Sequence, residues 1–305
     1  MAGFPHSFRS SLLKTSVVLL LLMLLAEPSV AQPLKEPATR DTTFLGMNRK
    51  TFVKYAIPVY GATVFYIQFQ WWWKGNTHPF SIYWEGVWND YSLGVDKVGH
   101  FYTSYAYYLS LYDMMRWAGY DKSTSMWTGI GIAAFHAVSS EVADGFSNYG
   151  FTPGDLVFNT MGLGYAILQQ EVPFLQNFNF KFSYWPSPNR PRDERWRITN
   201  DYDGHIYWLS INVHDLLPES AQSYWPRFLN LAVGYGGKNI SHHLPEGLPK
   251  YRKFAVGLDY NLNVFQTAND TWNTVLGMLN RFHYPAPALR KTEDSKVEFK
   301  PLIIY

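Results

Sequence analysis

Near Pro173 the spacing of apolar residues changes from a helical period to a period of two, and that switch constrains the fold more than any other feature of the chain. From about Thr51 to Gln170 the apolar residues recur with the spacing that gathers them on one side of a helix. Beyond Phe174, apolar and polar residues alternate instead. Phe178, Phe180, Phe182 and Tyr184 form one series; Tyr207, Leu209, Ile211 and Val213 a second; Leu229, Leu231, Val233 and Tyr235 a third; and Phe254, Val256, Leu258, Tyr260, Leu262 and Val264 a fourth. Alternate side chains of a strand share a face, so each series predicts a strand with one apolar side. A fifth, weaker strand falls near Val297 to Phe299. A closed single-chain membrane barrel takes about eight strands. The expected product is therefore a small antiparallel sheet whose apolar face is covered. The fold class is α+β: an N-terminal bundle of about four to five helices, then the sheet.

At the N-terminus, Arg9 and Lys14 precede an apolar run from Val17 to Ala26, and Ser29-Val30-Ala31 places small residues where a signal peptidase reads. This predicts a signal peptide over residues 1–31 and export to the periplasm or the outer membrane. The run is shorter than the roughly 20 residues that cross a bilayer; an uncleaved anchor in the inner membrane is the alternative. Residues 32–48, with Pro33 and Pro37, read as a flexible leader, 49–172 as a helical domain and 173–305 as a strand-rich region. Ser187 to Arg197, rich in Pro and Arg, reads as an exposed connection. The sequence has no cysteine, so neither a disulfide nor a lipid-modified cysteine is available and any hold on a membrane is non-covalent.

Val53 to Trp73 is apolar and aromatic, interrupted by Pro58, Gln68 and Gln70 and closed by Trp71-Trp72-Trp73, as in a membrane-seated helix with an interfacial end. The later apolar stretches carry or adjoin His100, Asp113, Arg116, Glu141 and Asn159, so none has the unbroken run of a spanning helix. Aromatic residues make up 18% of the chain, which suits either a half-wet interface or a large aromatic core. Acidic and basic side chains nearly balance, which gives no concentrated basic face for nucleic acid. No P-loop and no Gly-x-Gly-x-x-Gly after a strand suggests a nucleotide, and neither HExxH nor Gly-x-Ser-x-Gly is present.

Three helical clusters carry the chemistry. Asp96 and His100 are four apart and share a helix face with Ser104, while Lys97 lies beside Asp96. His136, Ser140 and Asp144 are spaced by four, with Glu141 three before Asp144, on a helix otherwise lined by small residues. In Gly150-Phe151-Thr152-Pro153-Gly154-Asp155, Thr152 suits an N-cap, Pro153 the first helical position and Asp155 a capping box. Asn159 and Gly162 continue the face of Asp155, and Gly162 allows another helix to come close. Elsewhere, His242-His243 reads as a solvated loop pair, with metal binding as the alternative. Asp201-Tyr202-Asp203-Gly204 offers oxygen ligands to Ca2+ but lacks the rest of an EF-hand loop and reads as a turn.

The ordered set Asp96-Lys97-x-x-His100-Phe101, Glu141-x-x-Asp144-Gly145 and Gly150-Phe151-Thr152-x-x-Asp155-x-x-x-Asn159-x-x-Gly162 resembles the YfiM-like family of predicted periplasmic lipoproteins, whose function is unknown. More loosely, Asp-Lys-x-x-His-Phe followed by Asp-x-x-x-Asn-x-x-Gly is similar to VanZ-like membrane proteins. The segment from Phe178 onward resembles the C-terminal extension of longer, Bacteroidetes-type members. The resemblance implies an envelope location and names no reaction or cofactor, and the missing cysteine departs from the lipoprotein pattern.

Two functions fit. In one, the chain is a membrane-associated scaffold or a module that binds a membrane lipid or an envelope protein, and His100, Glu141, Asp144, Asp155 and Asn159 form a buried polar network that fixes helix packing. In the other, it is an envelope hydrolase or transferase acting on a lipid or lipid-linked head group. There His100 or Glu141 is the general base, Asp96 orients His100, Asp144 and Asp155 hold a divalent cation, and Lys97 and Asn159 line the binding site.

Overall fold

The computed structural model describes residues 42–188, 190, 198–241, 244–245 and 247–303. The signal peptide, the leader up to residue 41, most of the 187–197 connection and the His242-His243 pair lie outside the described residues. A short hairpin, β1 (Thr43–Phe44) and β2 (Met47–Asn48), leads into α1 (Arg49–Gln68), where the Asn48 side chain accepts the Lys50 N–H. One π-helical turn, Phe69–Trp73, prolongs it. Three helices follow: α2 (Val95–Trp117), α3 (Lys122–Gly145) and α4 (Pro153–Glu171). Asp121 starts α3 by accepting the Thr124 N–H at 2.9 Å. Pro153 opens α4 at a position where its missing N–H costs nothing. No helix of the described residues is long and apolar enough to cross a membrane.

The central helix is α2, whose Val95, Tyr102, Tyr105, Tyr108, Leu109 and Tyr112 form one buried cluster with Ala133 of α3 and Ala166 of α4. At Gly162 a Cβ would lie 2.0 Å from the Phe101 carbonyl oxygen, so α2 and α4 approach backbone to side-chain-free backbone.

The sheet has six antiparallel strands in chain order: β3 (Phe178–Tyr184), β4 (His205–Ile211), β5 (Leu229–Lys238), β6 (Tyr251–Tyr260), β7 (Ala286–Thr292) and β8 (Glu298–Ile303). Two helical turns, α5 (Val213–Leu216) and α6 (Glu219–Gln222), link β4 to β5, and α7 (Asp270–Leu279) lies between β6 and β7. The α+β class holds, but the sheet is larger than the small one expected. Strand β7 carries Pro287, Arg290 and Lys291, which hide its alternation, and the fourth series stops early because residues 262–265 turn into a 3-10 helix.

The two faces of the sheet are the reverse of the sequence expectation. Phe180, Leu209, Val233, Val256, Leu289 and Phe299 stand directly opposite one another and form one apolar row across all six strands. Helices cover only its beginning: Phe101, Tyr105 and Tyr165 pack on Phe180 with ring centroids 4.6, 5.7 and 5.1 Å away. In the neighbouring row Tyr102 packs on Phe182 and Tyr207. From β5 onward the apolar row is open, with Val233, Val256, Leu289 and Phe299 48, 55, 53 and 64% exposed. The opposite face is the buried one. It is lined by Ala232, Ala255 and Ala288, with Gly234 and Gly257 where a Cβ would collide with Trp208 or Ala288, and it encloses Lys181, Ser210, Asn230, Lys253 and Asp259. Trp208 fills this interior, stacked on His283 at 3.9 Å.

Candidate polar site at the helix junction

The segment between α1 and α2 is laid across the junction of α3 and α4 by backbone bonds: Ser81 N to Gly145 O at 2.8 Å, and Tyr83 N to Phe151 O and Phe151 N to Ser81 O, both at 2.9 Å. Its end locks the start of α2. The Asp90 carboxylate accepts the N–H groups of Ser92 and Gly94 and the Ser92 hydroxyl, and Ser92 Oγ in turn accepts the Asp96 N–H at 3.0 Å. The first turn of α2 thereby presents Asp96 and Lys97 inward, both buried.

Lys97 is enclosed by acids. Its Nζ lies 2.7 Å from Asp155 Oδ1, 2.9 Å from Glu85 Oε2, 3.3 Å from Asp96 Oδ2 and 3.8 Å from Asp90 Oδ2. One turn on, His100 faces three carboxylates: Glu141 Oε1 at 3.4 Å from Nδ1, and Asp96 Oδ1 and Asp155 Oδ2 at 3.7 and 3.8 Å from Nε2. Asn159 ties the helices together, donating to Glu141 Oε1 at 3.3 Å and accepting the Ser104 hydroxyl at 2.8 Å. Tyr202, from the turn before β4, donates to Asp96 Oδ1 at 2.6 Å and brings the sheet region to the site.

Six of the seven sequence candidates, Asp96, Lys97, His100, Glu141, Asp155 and Asn159, thus meet in one network. Asp144 stands beside it, accepting the Trp73 indole N–H at 2.7 Å. His136 is elsewhere, against Gln68 and the rings of Phe65 and Tyr107. The capping reading at α4 is corrected. Thr152 occupies the N-cap position without a side-chain cap bond, and the Asp155 carboxylate turns to Lys97 instead of back along its own helix. The Ca2+ reading at 201–204 gives way to turn chemistry. Asp203 accepts the N–H groups of Asn239, Ile240 and Ser241, and Asp201 accepts Ser187 N–H and Tyr184 Oη–H.

Burial and charge set the protonation states. Burial alone would lower the His100 pKa, but Asp96, Asp155 and Glu141 raise it to about 9. Burial pushes Glu141 up to about 8, against the pull of His100. It also pushes Asp144 to about 6, against the Trp73 N–H, and raises Asp155. Burial favours the neutral form of Asp96 too, but His100, Lys97 and Tyr202 hold it below the ordinary carboxylate value. At neutral pH His100 is therefore cationic and Glu141 holds a proton, so both are poised as acids; a base role requires the pair first to lose a proton. Among the described residues, two groups bring donor atoms within 4.8 Å of one another, Asp96 with His100 and Asp155, and Glu85 with Asp90 and Asp96. The Lys97 ammonium already sits among the carboxylates of the second.

Sequence reasoning missed Glu85, Asp90, Trp73 and Tyr202. The only local signal was Asp90-x-Ser92-x-Gly94 just ahead of α2, the composition of a turn that starts a helix.

No curated protein and no solved structure matches the chain. Residues 85–171, which hold the whole cluster except Trp73 and Tyr202 and end before the sheet, match the model of a family described as predicted periplasmic lipoprotein (DUF2279), although this sequence contains no cysteine to carry a lipid.

Proposed function

We propose that the chain is a periplasmic cell-envelope protein that seats against a membrane by the apolar outer face of its sheet, with the charged helix cluster fixing the geometry of the helical half. The observation that carries this reading is the open apolar row of β5 to β8, backed by a polar interior. An ordinary water-facing sheet turns its polar side out and its apolar side in; a sheet that meets acyl chains does the opposite. Further apolar side chains stand out from the helices, with Val59 at 65%, Trp127 at 64%, Phe135 at 67% and Val157 at 54% exposed. An export address fits the family description matched by residues 85–171.

Flotation of the purified chain with phosphatidylethanolamine and phosphatidylglycerol vesicles tests it. Wild-type protein should float, and Val233→Lys with Val256→Lys should stay at the bottom of the gradient while keeping its circular dichroism spectrum. A wild-type chain that stays monodisperse without detergent and ignores vesicles would sink the reading.

A second reading, an envelope enzyme acting on a lipid-linked head group, is favoured by one observation: the His100 side chain is 28% exposed while the Asp96, Glu141 and Asp155 carboxylates around it are buried. Hydrolysis of a phospholipid or a lipid-linked head group that is lost in Glu141→Gln would support it.

A further inference from the structure

The edge of the bundle at His100 holds an arrangement that does not depend on where the protein is seated. Asp96 and Asp155 each divide their two oxygens. Asp96 Oδ2 and Asp155 Oδ1 face Lys97, whereas Asp96 Oδ1 and Asp155 Oδ2 face His100 Nε2 at 3.7 and 3.8 Å. Those separations are too long for hydrogen bonds. Asp155 is only 7% exposed, and among the described residues no group donates a hydrogen bond to its Oδ2. The Oδ2 side of the carboxylate is thus open to a ligand at the His100 edge, whereas the enclosed oxygen without a well-formed hydrogen bond is Oδ1, beside Lys97.

The other side of the ring supplies the orientation. Nδ1 faces Glu141 Oε1, and Glu141 is held in turn by the amide of Asn159, whose own oxygen accepts the Ser104 hydroxyl. A carboxyl group behind Nδ1 keeps the N–H there, so that an ion displacing the Nε2 proton of the His100 cation meets a lone pair facing the two aspartates, the arrangement by which proteins present histidine to a metal. Ligands placed tetrahedrally about 2.1 Å from an ion stand about 3.4 Å apart, so each aspartate oxygen needs to approach His100 Nε2 by only a few tenths of an ångström, and all three donor atoms already lie within 4.8 Å of one another. The exposed edge of His100 leaves a way in for the ion and room for water as a remaining ligand.

We propose that Asp96 Oδ1, His100 Nε2 and Asp155 Oδ2 are the protein ligands of a divalent first-row transition-metal ion of the Zn2+ or Mn2+ class, with Glu141 as the positioning residue behind His100. Two oxygens and one imidazole nitrogen suit such ions. The neighbouring Lys97 opposes a second cation, but Glu85 and Asp90, which take no part in the ligand set, offset its charge.

The test is titration of the EDTA-stripped full chain, in detergent, with Zn2+ or Mn2+ alone, read by native mass spectrometry and calorimetry. One ion per chain is expected. His100→Ala and Asp155→Asn should abolish binding, and Glu141→Gln should keep the stoichiometry while weakening affinity about 10- to 100-fold. The double change His242→Ala with His243→Ala should leave binding as in wild type. If His100→Ala fails to fold, the near-isosteric Asp155→Asn carries the same comparison. Binding that survives Asp155→Asn, that disappears with His242 and His243, or that is absent from the wild-type chain overturns the assignment. Vesicle flotation is read separately, so failure of either proposal is distinguishable from failure of the other.

Discussion

Lys181 Nζ lies 2.7 Å from Asp259 Oδ2, with neither side chain exposed, although the two residues stand on β3 and β6 with two strands between them. In a flat sheet those strands would be about 14 Å apart. The contact therefore requires the sheet to curl until its inner face closes on itself, and small side chains line that face because nothing larger fits beside Trp208. Lys181 also donates to Tyr260 O and Asn280 Oδ1, and Asp259 accepts the Ser210 hydroxyl at 2.6 Å.

Removing one partner of such a pair strands the other charge. Lys181→Ala should cost about 3–5 kcal/mol in chemical denaturation, because Asp259 is left buried without its counter-ion. Lys181→Met combined with Asp259→Leu should recover most of that loss. A cost for Lys181→Ala within about 0.5 kcal/mol, the range of an ordinary surface change, would show that the sheet is not curled around this pair.

The helix cluster predicts a stability that falls as pH rises. His100 is raised from its ordinary 6.5 to about 9, so its contribution is complete below the ordinary value and is lost as pH climbs through about 9. Glu141, raised from 4.5 to about 8, acts in the same direction: between those values the folded chain holds a proton that the unfolded chain releases. Thermal denaturation from pH 5 to pH 10 should show Tm declining, and Glu141→Gln should flatten the part below pH 8. A Tm that climbs across this range in the wild type would contradict the assigned environment.

Trp73 and Asp144 give a sharper contrast. Burial raises Asp144 to about 6, and the indole N–H, with the His100 charge behind it, limits the rise. Trp73→Phe removes a hydrogen bond to a charged group, generally about 1.5–3 kcal/mol, and it does so chiefly for the ionised form. Its destabilisation, measured by denaturant melts, should be clearly larger at pH 7.5 than at pH 4. Equal losses at the two values would mean that only packing was removed.

The existence and type of most elements were legible in the sequence because helices and strands have different apolar periods, and the four best strand series correspond to β3, β4, β5 and β6. Alternation, however, says that two faces differ and not which one is inside. The usable signal lay on the other face: Ala232, Gly234, Ala255, Gly257 and Ala288 are too small for a surface that solvates freely, and they mark the crowded side of a curled sheet. Within the site, spacing of three and four found residues that share a helix. It could not find Glu85, Asp90 or Tyr202, which arrive from irregular segments, nor foresee that Asp155 would prefer a distant ammonium to its own helix N-terminus.

The close approach of α2 and α4 is what brings Asp155 and Asn159 to His100 and Ser104, and it depends on Gly162. A methyl group there would fall 2.0 Å from the Phe101 carbonyl oxygen, a backbone atom that cannot swing aside. Gly162→Ala should therefore separate the helices and destabilise the chain by about 1–3 kcal/mol. At Gly164, two residues on, a Cβ would meet nothing within 4 Å. Gly164→Ala should be neutral or stabilising by about 0.5–1 kcal/mol, since alanine is the better helix former. Thermal melts of the two variants side by side decide the matter: equal effects would mean that the α2–α4 contact is not the constraint holding the cluster together.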